Sequence, residues 1–267
     1  MTRLNEIIIA IKGAGEMASA VAWRLRMSQF SKILMLETDS PLAVRREVSF
    51  CEAVHEGEKE VEKVRAVRVQ HPDEIEPCWE KNEIVVVVDP QWQILKAIQP
   101  AVIVDAVLAK QNLGTRMKDA PLVVGLGPGF NAGKDVHLVI ETHRGHNLGR
   151  IITSGEAEPN TGTPGAIGGF TEERVLRAPG AGKFQSVRNI GDLVIKDEIV
   201  GSVAAVEVRA GIAGVLRGLI RPNSQVTQGL KIGDIDPRGE VSYCFSISDK
   251  SRAIAGSVLE AVLRVYN

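Results

Sequence analysis

Apolar residues along this chain gather into short blocks, separated by polar and glycine-rich stretches. Ile7–Ile11 is a β-branched run that leads into Lys12-Gly13-Ala14-Gly15-Glu16. Met17, Ala18, Val21, Ala22 and Leu25 then recur at helical spacing, which predicts an amphipathic helix. Ile33–Leu36 reads as a second strand, closing on Glu37-Thr38-Asp39. Pro41–Phe50 predicts a short helix with Arg45 and Arg46 adjacent, Val64–Val69 an alternating strand, and Asp73–Lys81 another short helix. Ile84–Val88 is read as a buried strand ending at Asp89, Gln91–Ile98 as a helix, and Ala101–Val104 as a strand ending in Asp105. Strands alternating with helices imply a parallel sheet. Ligands of such sheets lie beyond the carboxyl ends of the strands. Asp89, Asp105 and the Gly13–Glu16 turn fall there, although either aspartate serves equally well as a cap.

The pattern changes after Leu122–Val124, a further strand. Two glycine clusters, Gly125–Gly129 and Gly145–Gly149, flank Asp135–His143, which alternates strictly and predicts a strand. His137, Val139, Glu141 and His143 share one face of it. At a rise of about 3.3 Å per residue, Glu141 and His143 are about 7 Å apart and His137 lies about 20 Å from His143. One metal ion therefore cannot use all three, and the spacing matches no zinc signature. Gly149–Ser154 reads as a strand, Gly155–Gly169 as a ligand-covering loop holding Asn160, and Phe170–Leu176 as a short helix aligned with Arg174 and Arg177. A weak repeat of 32 residues relates Gly191–Val203 to Asn223–Ile235, suggesting a small pseudo-twofold β-barrel of the lipoyl type. The link between its halves, Ala204–Gly211, has no lysine, so a carrier role is not expected. Ser248–Val265 predicts an amphipathic helix whose Ile254, Val258, Ala261 and Leu263 return to the first domain.

Composition narrows the function. The net charge of −1 lacks the basic surplus of a nucleic-acid binder, and 4% aromatic residues argue against base-stacking platforms. The apolar stretch Glu6–Lys12 is too short to span a membrane. Acidic Glu6 precedes it and no small-residue cleavage pattern follows, so a cytoplasmic protein is expected. Cys51, Cys78 and Cys244 form no C-x-x-C and read as reduced thiols.

The order strand, G-x-G-x-x-A, helix, strand, acid is that of a dinucleotide-type unit. Gly13 and Gly15 would let a ligand approach the backbone, and Glu37, 24 residues after Gly13, would accept from a ribose. Glu16 opposes this, since a carboxylate at the helix N-terminus occupies the place of a phosphate. Gly125–Lys134 fails as a P-loop, because Pro128 stands where the first glycine must be and Asp135 replaces Ser or Thr. The fold expected is α/β, a Rossmann-like parallel sheet followed by a β-rich segment and a small barrel-sandwich-like β domain. Its boundaries would be 1–120, 121–185, 186–240 and a packing-back segment 241–267.

Six motifs together carry a family resemblance: Gly13-Ala14-Gly15-Glu16-Met17-Ala18, Asp105–Lys110, Gly125–Phe130, Val139–His146, Pro159–Gly162 and Lys231–Arg238. Over nearly its whole length the chain resembles the accessory (maturation) proteins of the selenium-dependent molybdenum hydroxylase system. More distantly it is similar to xanthine dehydrogenase accessory factors. The resemblance implies a protein that matures molybdenum hydroxylases, with an apo-hydroxylase as partner and a molybdenum-pterin cofactor or a nucleotide as a small anionic ligand. Backbone amides at Gly13, Gly15, Gly127 and Gly129, with Glu37, Arg144 and Asn160, are the expected cofactor contacts. Asp105, Lys110, His143 and His146 are the candidate acid–base groups. Two other readings stay open. One is a nucleotide-dependent oxidoreductase or a selenium/sulfur transferase with Cys51 or Cys78 as carrier thiol. The other is a non-catalytic homo-oligomeric scaffold whose glycines only shape turns.

Overall fold

Four consecutive fully buried residues make β1 (Ile9–Lys12) a strand with no solvent face, at the centre of its sheet. A glycine turn leads into α1 (Glu16–Met27), which buries Ala18, Val21, Ala22 and Leu25, and then into β2 (Ile33–Glu37), paired parallel with β1. The computed structural model describes residues 3–266 and divides into two units. The first joins Met1–Pro41, Ser49–Asn160 and Ile247–Asn267, and the second joins Leu42–Val48 and Thr161–Ser246. These boundaries cut across the four segments expected.

The first unit continues through α2 (Ala53–Glu56), β3 (Glu58–Val61), β4 (Val64–Val69), α3 (Ile75–Glu80), β5 (Ile84–Val88), α4 (Leu95–Ile98), β6 (Val102–Asp105) and β7 (Leu122–Leu126). It then adds β8 (Asn131–Ala132), β9 (Leu138–Ile140), β10 (Ile151–Ile152), β11 (Gly155–Glu156) and α5 (Asp249–Tyr266). Among the described residues its main sheet has nine strands in the order β10-β9-β7-β6-β1-β2-β5-β4-β3. α5 buries Ile254, Ala255, Val258, Ala261 and Val262 and packs along α1, whereas the expected Leu263 is only half-buried.

This topology corrects the expected Rossmann-like parallel sheet. The sheet is mixed, with β3 and β10 antiparallel at its two edges. β5 lies between β2 and β4, which breaks the doubly wound strand order. β7, β9 and β10 extend this same sheet, so residues 121–152 are no separate β-rich segment. The causes are local. Glu62 and Lys63 both take positive φ, as a type I′ turn requires, and fold the charged β3 back on β4. The β5–β6 crossover holds only the single turn of α4, and the β6–β7 crossover only a 3-10 turn, Met117–Asp119.

Other expected elements shrink. Pro41–Phe50 makes a 3-10 turn at Arg46–Val48 in place of a helix. Gln91–Ile98 is helical only from Leu95, because Trp92 sits at φ +57°. Asp135–His143 is strand only at Leu138–Ile140, since Asn131–Val136 closes on itself in a tight turn. Gly149–Ser154 retains only Ile151–Ile152. Phe170–Leu176 is not a helix: its end belongs to β12 (Val175–Arg177).

The second unit continues with β13 (Gly182–Ser186), β14 (Leu193–Val194), β15 (Ile199–Val203), β16 (Val206–Arg209), β17 (Gly214–Leu219), β18 (Gln225–Val226) and β19 (Lys231–Asp236). Two antiparallel sheets, β12-β19-β17-β14 and β16-β15-β13-β18, enclose a core of Leu176, Phe184, Val203, Leu216 and Ile235. The 32-residue shift carries β14 onto β18 and β15 onto the start of β19, and each half gives one strand to either sheet. The link between the halves is the β15–β16 hairpin, turning at Ala204 and Ala205, both at positive φ. Buried pairs Arg174–Asp234 and Arg217–Asp236 tie β12 and β17 to β19.

Candidate functional site

The chemistry of the first unit centres on a lysine that the motif reading passed over. Lys12 ends β1 directly before the glycine turn, in register with Asp105 at the end of β6. Lys12, Asp105 and Thr115 are each no more than 2% exposed. Lys12 Nζ donates to Thr115 Oγ1 at 2.6 Å, and the Thr115 hydroxyl donates to Asp105 Oδ2 at 2.6 Å. Nζ also stands 3.6 Å from the centroid of the Trp92 ring. Burial pulls the Lys12 pKa below the ordinary lysine value, while Asp105 and Asp119 act the other way. The Trp92 ring face, which attracts a cation, also opposes the lowering.

Lys12 lines a cavity of about 930 Å³, bounded by Trp92 and Leu95 on one side and by Lys118–Pro121 on another. It opens because neither flanking crossover carries a full helix to cover this face of β1, β6 and β7. Lys96 and Lys118 are exposed at its rim, with Asp119 beside them. Two of its lining residues, Trp92 and Gln99, have left-handed backbone, φ +57° and +47°. Bulky side chains rarely adopt this conformation, and such strain gathers at functional sites. Asp89 holds the turn that presents Trp92, accepting from Ile94 N at 2.8 Å.

The glycine turn does other work than expected. Glu37 Oε2 accepts from Ala14 N at 2.8 Å and its Oε1 from Thr38 N, so its carboxylate fastens the turn instead of facing a ribose. Glu16, at the start of α1, accepts from Ser248 and Ser251 hydroxyls at the start of α5. Gly13, at φ +90°, lets the chain pass against Ala106, while Gly15 has open space where a Cβ would be. A Cβ on Gly127 would strike Thr142 Oγ1 at 2.4 Å, and one on Gly129 would meet the Gln111 backbone at 2.7 Å. Both positions therefore have a packing reason to be glycine.

Asp105 thus keeps a place at the site, while the other candidates disperse. Lys110 is exposed at φ +62° on the loop that Gly129 packs against. Arg144 is bonded by both terminal nitrogens to Asp249, at 2.8 and 3.1 Å. His143 is half-buried, and His146 and Asn160 are exposed. Glu141, buried, joins two loops by accepting from His143 N and Glu158 N, both at 2.7 Å. His137 Nδ1 accepts from Val123 N at 3.0 Å. Among the described residues no three His, Cys, Asp or Glu side chains cluster to hold a metal ion. Burial pushes the Cys78 thiol above its ordinary pKa, which works against its use as a carrier.

No protein-family model matches the chain. It is 48% identical over 260 residues to the uncharacterized protein YqeB of Escherichia coli (strain K12), across 97% of this chain and 48% of that protein. The chain therefore spans about half the length of the curated relative it matches. Among solved structures it shows a likeness to an aspartoacylase family protein from Mesorhizobium loti, at 11% identity over 51% of this chain and 56% of that one, with a TM-score of 0.24. The apo ectoine utilization protein EutE from Ruegeria pomeroyi matches at 12% identity, 86% of each chain and a TM-score of 0.26. A succinylglutamate desuccinylase/aspartoacylase from Rhodobacter sphaeroides matches at 13%, 85% of this chain, 86% of that one and 0.24.

Proposed function

We propose that this protein is an accessory protein for the maturation of selenium-dependent molybdenum hydroxylases, and that the cavity beside Lys12 receives its molybdenum-pterin or nucleotide-type ligand. The carrying observation is a cavity of about 930 Å³ with an aromatic wall and three lysines against one lining carboxylate, Asp119. That size falls within the roughly 300–1,000 Å³ of small-molecule sites. A flat heterocycle finds the Trp92 ring, and phosphate oxygens find Lys96 and Lys118, since lysine binds phosphate as a point charge. Lys12, also a lining residue, adds a third positive charge. An apo-hydroxylase would be the recipient, in the cytoplasm. Among the described residues no helix is long and apolar enough to cross a membrane. Glu37 accepting from Ala14 N and the raised pKa of the Cys78 thiol favour this reading over a nucleotide-dependent oxidoreductase or a transferase using Cys78.

The test is a titration with molybdopterin and, separately, with a guanine nucleotide, followed through tryptophan fluorescence. Binding tighter than roughly 100 µM is expected for one of them. The Trp92→Phe variant should lose the signal, and Lys96→Ala with Lys118→Ala should weaken binding by about tenfold or more, the scale of charge-assisted hydrogen bonds. Absence of affinity for both ligands, or affinity indifferent to these variants, overturns the proposal.

A further inference from the structure

Lys12 combines burial, a side-chain hydrogen-bond relay and a neighbouring cavity. We propose that Lys12 is a reactive amine that condenses with a small anionic carbonyl compound, a 2-oxo acid or an aldehyde acid, entering the cavity beside Trp92. The proposal rests on the cavity being a ligand site, as in the reading above, and not on the ligand being a pterin.

The geometry supplies the parts. Lys12 is one of the residues lining the cavity, and the hydrogen bond from its Nζ to Thr115 Oγ1 continues to Asp105 Oδ2, 2.6 Å at each step. Because the Thr115 hydroxyl gives its proton to Asp105, it must accept from the lysine, so the relay runs from amine to carboxylate. Lys96 and Lys118 at the rim hold the carboxylate of the incoming compound. The neutral amine nitrogen attacks the carbonyl carbon, the C–N bond forms, and the C=O π pair moves onto oxygen. One of the two nitrogen protons passes through Thr115 and Asp105 to that oxygen and makes it a hydroxyl. The second nitrogen proton follows the same path, the hydroxyl leaves as water, and the nitrogen lone pair closes the imine, with no oxidant or reductant required. Burial that pulls the Lys12 pKa down raises its share of free amine near neutral pH, the usual basis of Schiff-base lysines. The charged groups facing it are Asp105 from β6, Asp119 from the turn before β7, and Lys96 and Lys118 at the rim.

The experiment is reductive trapping on the folded chain, with glyoxylate and sodium cyanoborohydride at neutral pH and peptide mapping of carboxymethyl-lysine. Lys12 should be modified severalfold faster than the exposed Lys96 and Lys118. Thr115→Val should slow Lys12 alone and Thr115→Ser should restore it, a response that a merely structural threonine would not give at one site. If Lys12 stays unmodified in the folded protein and reacts only after denaturation, it is a sealed structural cation and the proposal fails. Trapping at Lys12 without affinity for molybdopterin or nucleotide would leave this inference standing and remove the function proposed above. Affinity for those ligands without trapping would do the reverse.

Discussion

Lys12→Met tests whether the buried amine and Asp105 hold each other. Methionine keeps most of the length and volume of the lysine stem, so little of its effect comes from an empty space. It removes the charge and leaves Asp105 with the Thr115 hydroxyl at 2.6 Å and Val107 N at 3.3 Å. Because the Thr115 hydroxyl bridges the two groups, the loss is that of a charge-assisted hydrogen bond, about 1.5–3 kcal/mol. Losing a neutral hydrogen bond would cost only about 0.5–1.5 kcal/mol. Asp105→Asn should be costly for the same reason, and the double variant should fall short of the sum by about 1–3 kcal/mol. The assay is urea unfolding followed by tryptophan fluorescence. Trp23, Trp79 and Trp92 all lie in the first unit, so the signal reports that unit alone. A cost below about 1 kcal/mol for Lys12→Met, or additivity within about 0.5 kcal/mol, refutes the pairing.

Three further outcomes follow from the same contacts. The folded state holds the Lys12 pKa below the ordinary value of 10.5, so the burden of its buried charge is full at low pH and is relieved as pH rises from the folded pKa toward 10.5; wild type should gain stability relative to Lys12→Met across that alkaline window, read as the difference in urea midpoints. Glu37→Gln should lower first-unit stability by about 1–3 kcal/mol through its weakened bonds to Ala14 N and Thr38 N; unchanged stability together with a lost nucleotide affinity would reinstate the ribose reading. Gly129→Ala should cost more than about 1 kcal/mol, because φ +108° and the Gln111 backbone at 2.7 Å both exclude a Cβ; a thermal scan that finds it neutral removes the packing role.

The strands were legible where apolar runs are dense. Ile7–Ile11, Ile33–Leu36 and Ile84–Val88 mark three central strands to within two residues at each end. Their order was not legible, since any of these valine- and isoleucine-rich strands pairs with any other as far as pattern goes. The insertion of β5 between β2 and β4 follows from the charged hairpin of β3 and β4, a signal present in its alternating charges. The site was half legible. Asp105 stood out at a strand end, and Lys12 carried a signal that went unread, a lone charge closing an apolar run. Opposite charges ending two apolar strands are candidates to sit side by side. Thr115 had no such mark, because a threonine in a loop resembles any other until the loop folds. The histidines and Arg144 drew attention by residue type, yet their partners Asp249 and Val123 lie far away in sequence or in backbone atoms that no motif displays.

The chain passes between its two units four times, and the first unit takes its helices α1 and α5 from near opposite ends of the chain. During synthesis the central sheet therefore emerges with one flank of α1 bare, and the whole second unit is translated before the covering helix appears. Until then Glu16 also lacks the hydroxyls of Ser248 and Ser251. Native closure of the first unit thus waits until the second unit has been made, and it is dominated by contacts distant in sequence, which are slow to form. In that interval the apolar stripe of α1 is open to chaperones or to neighbouring nascent chains.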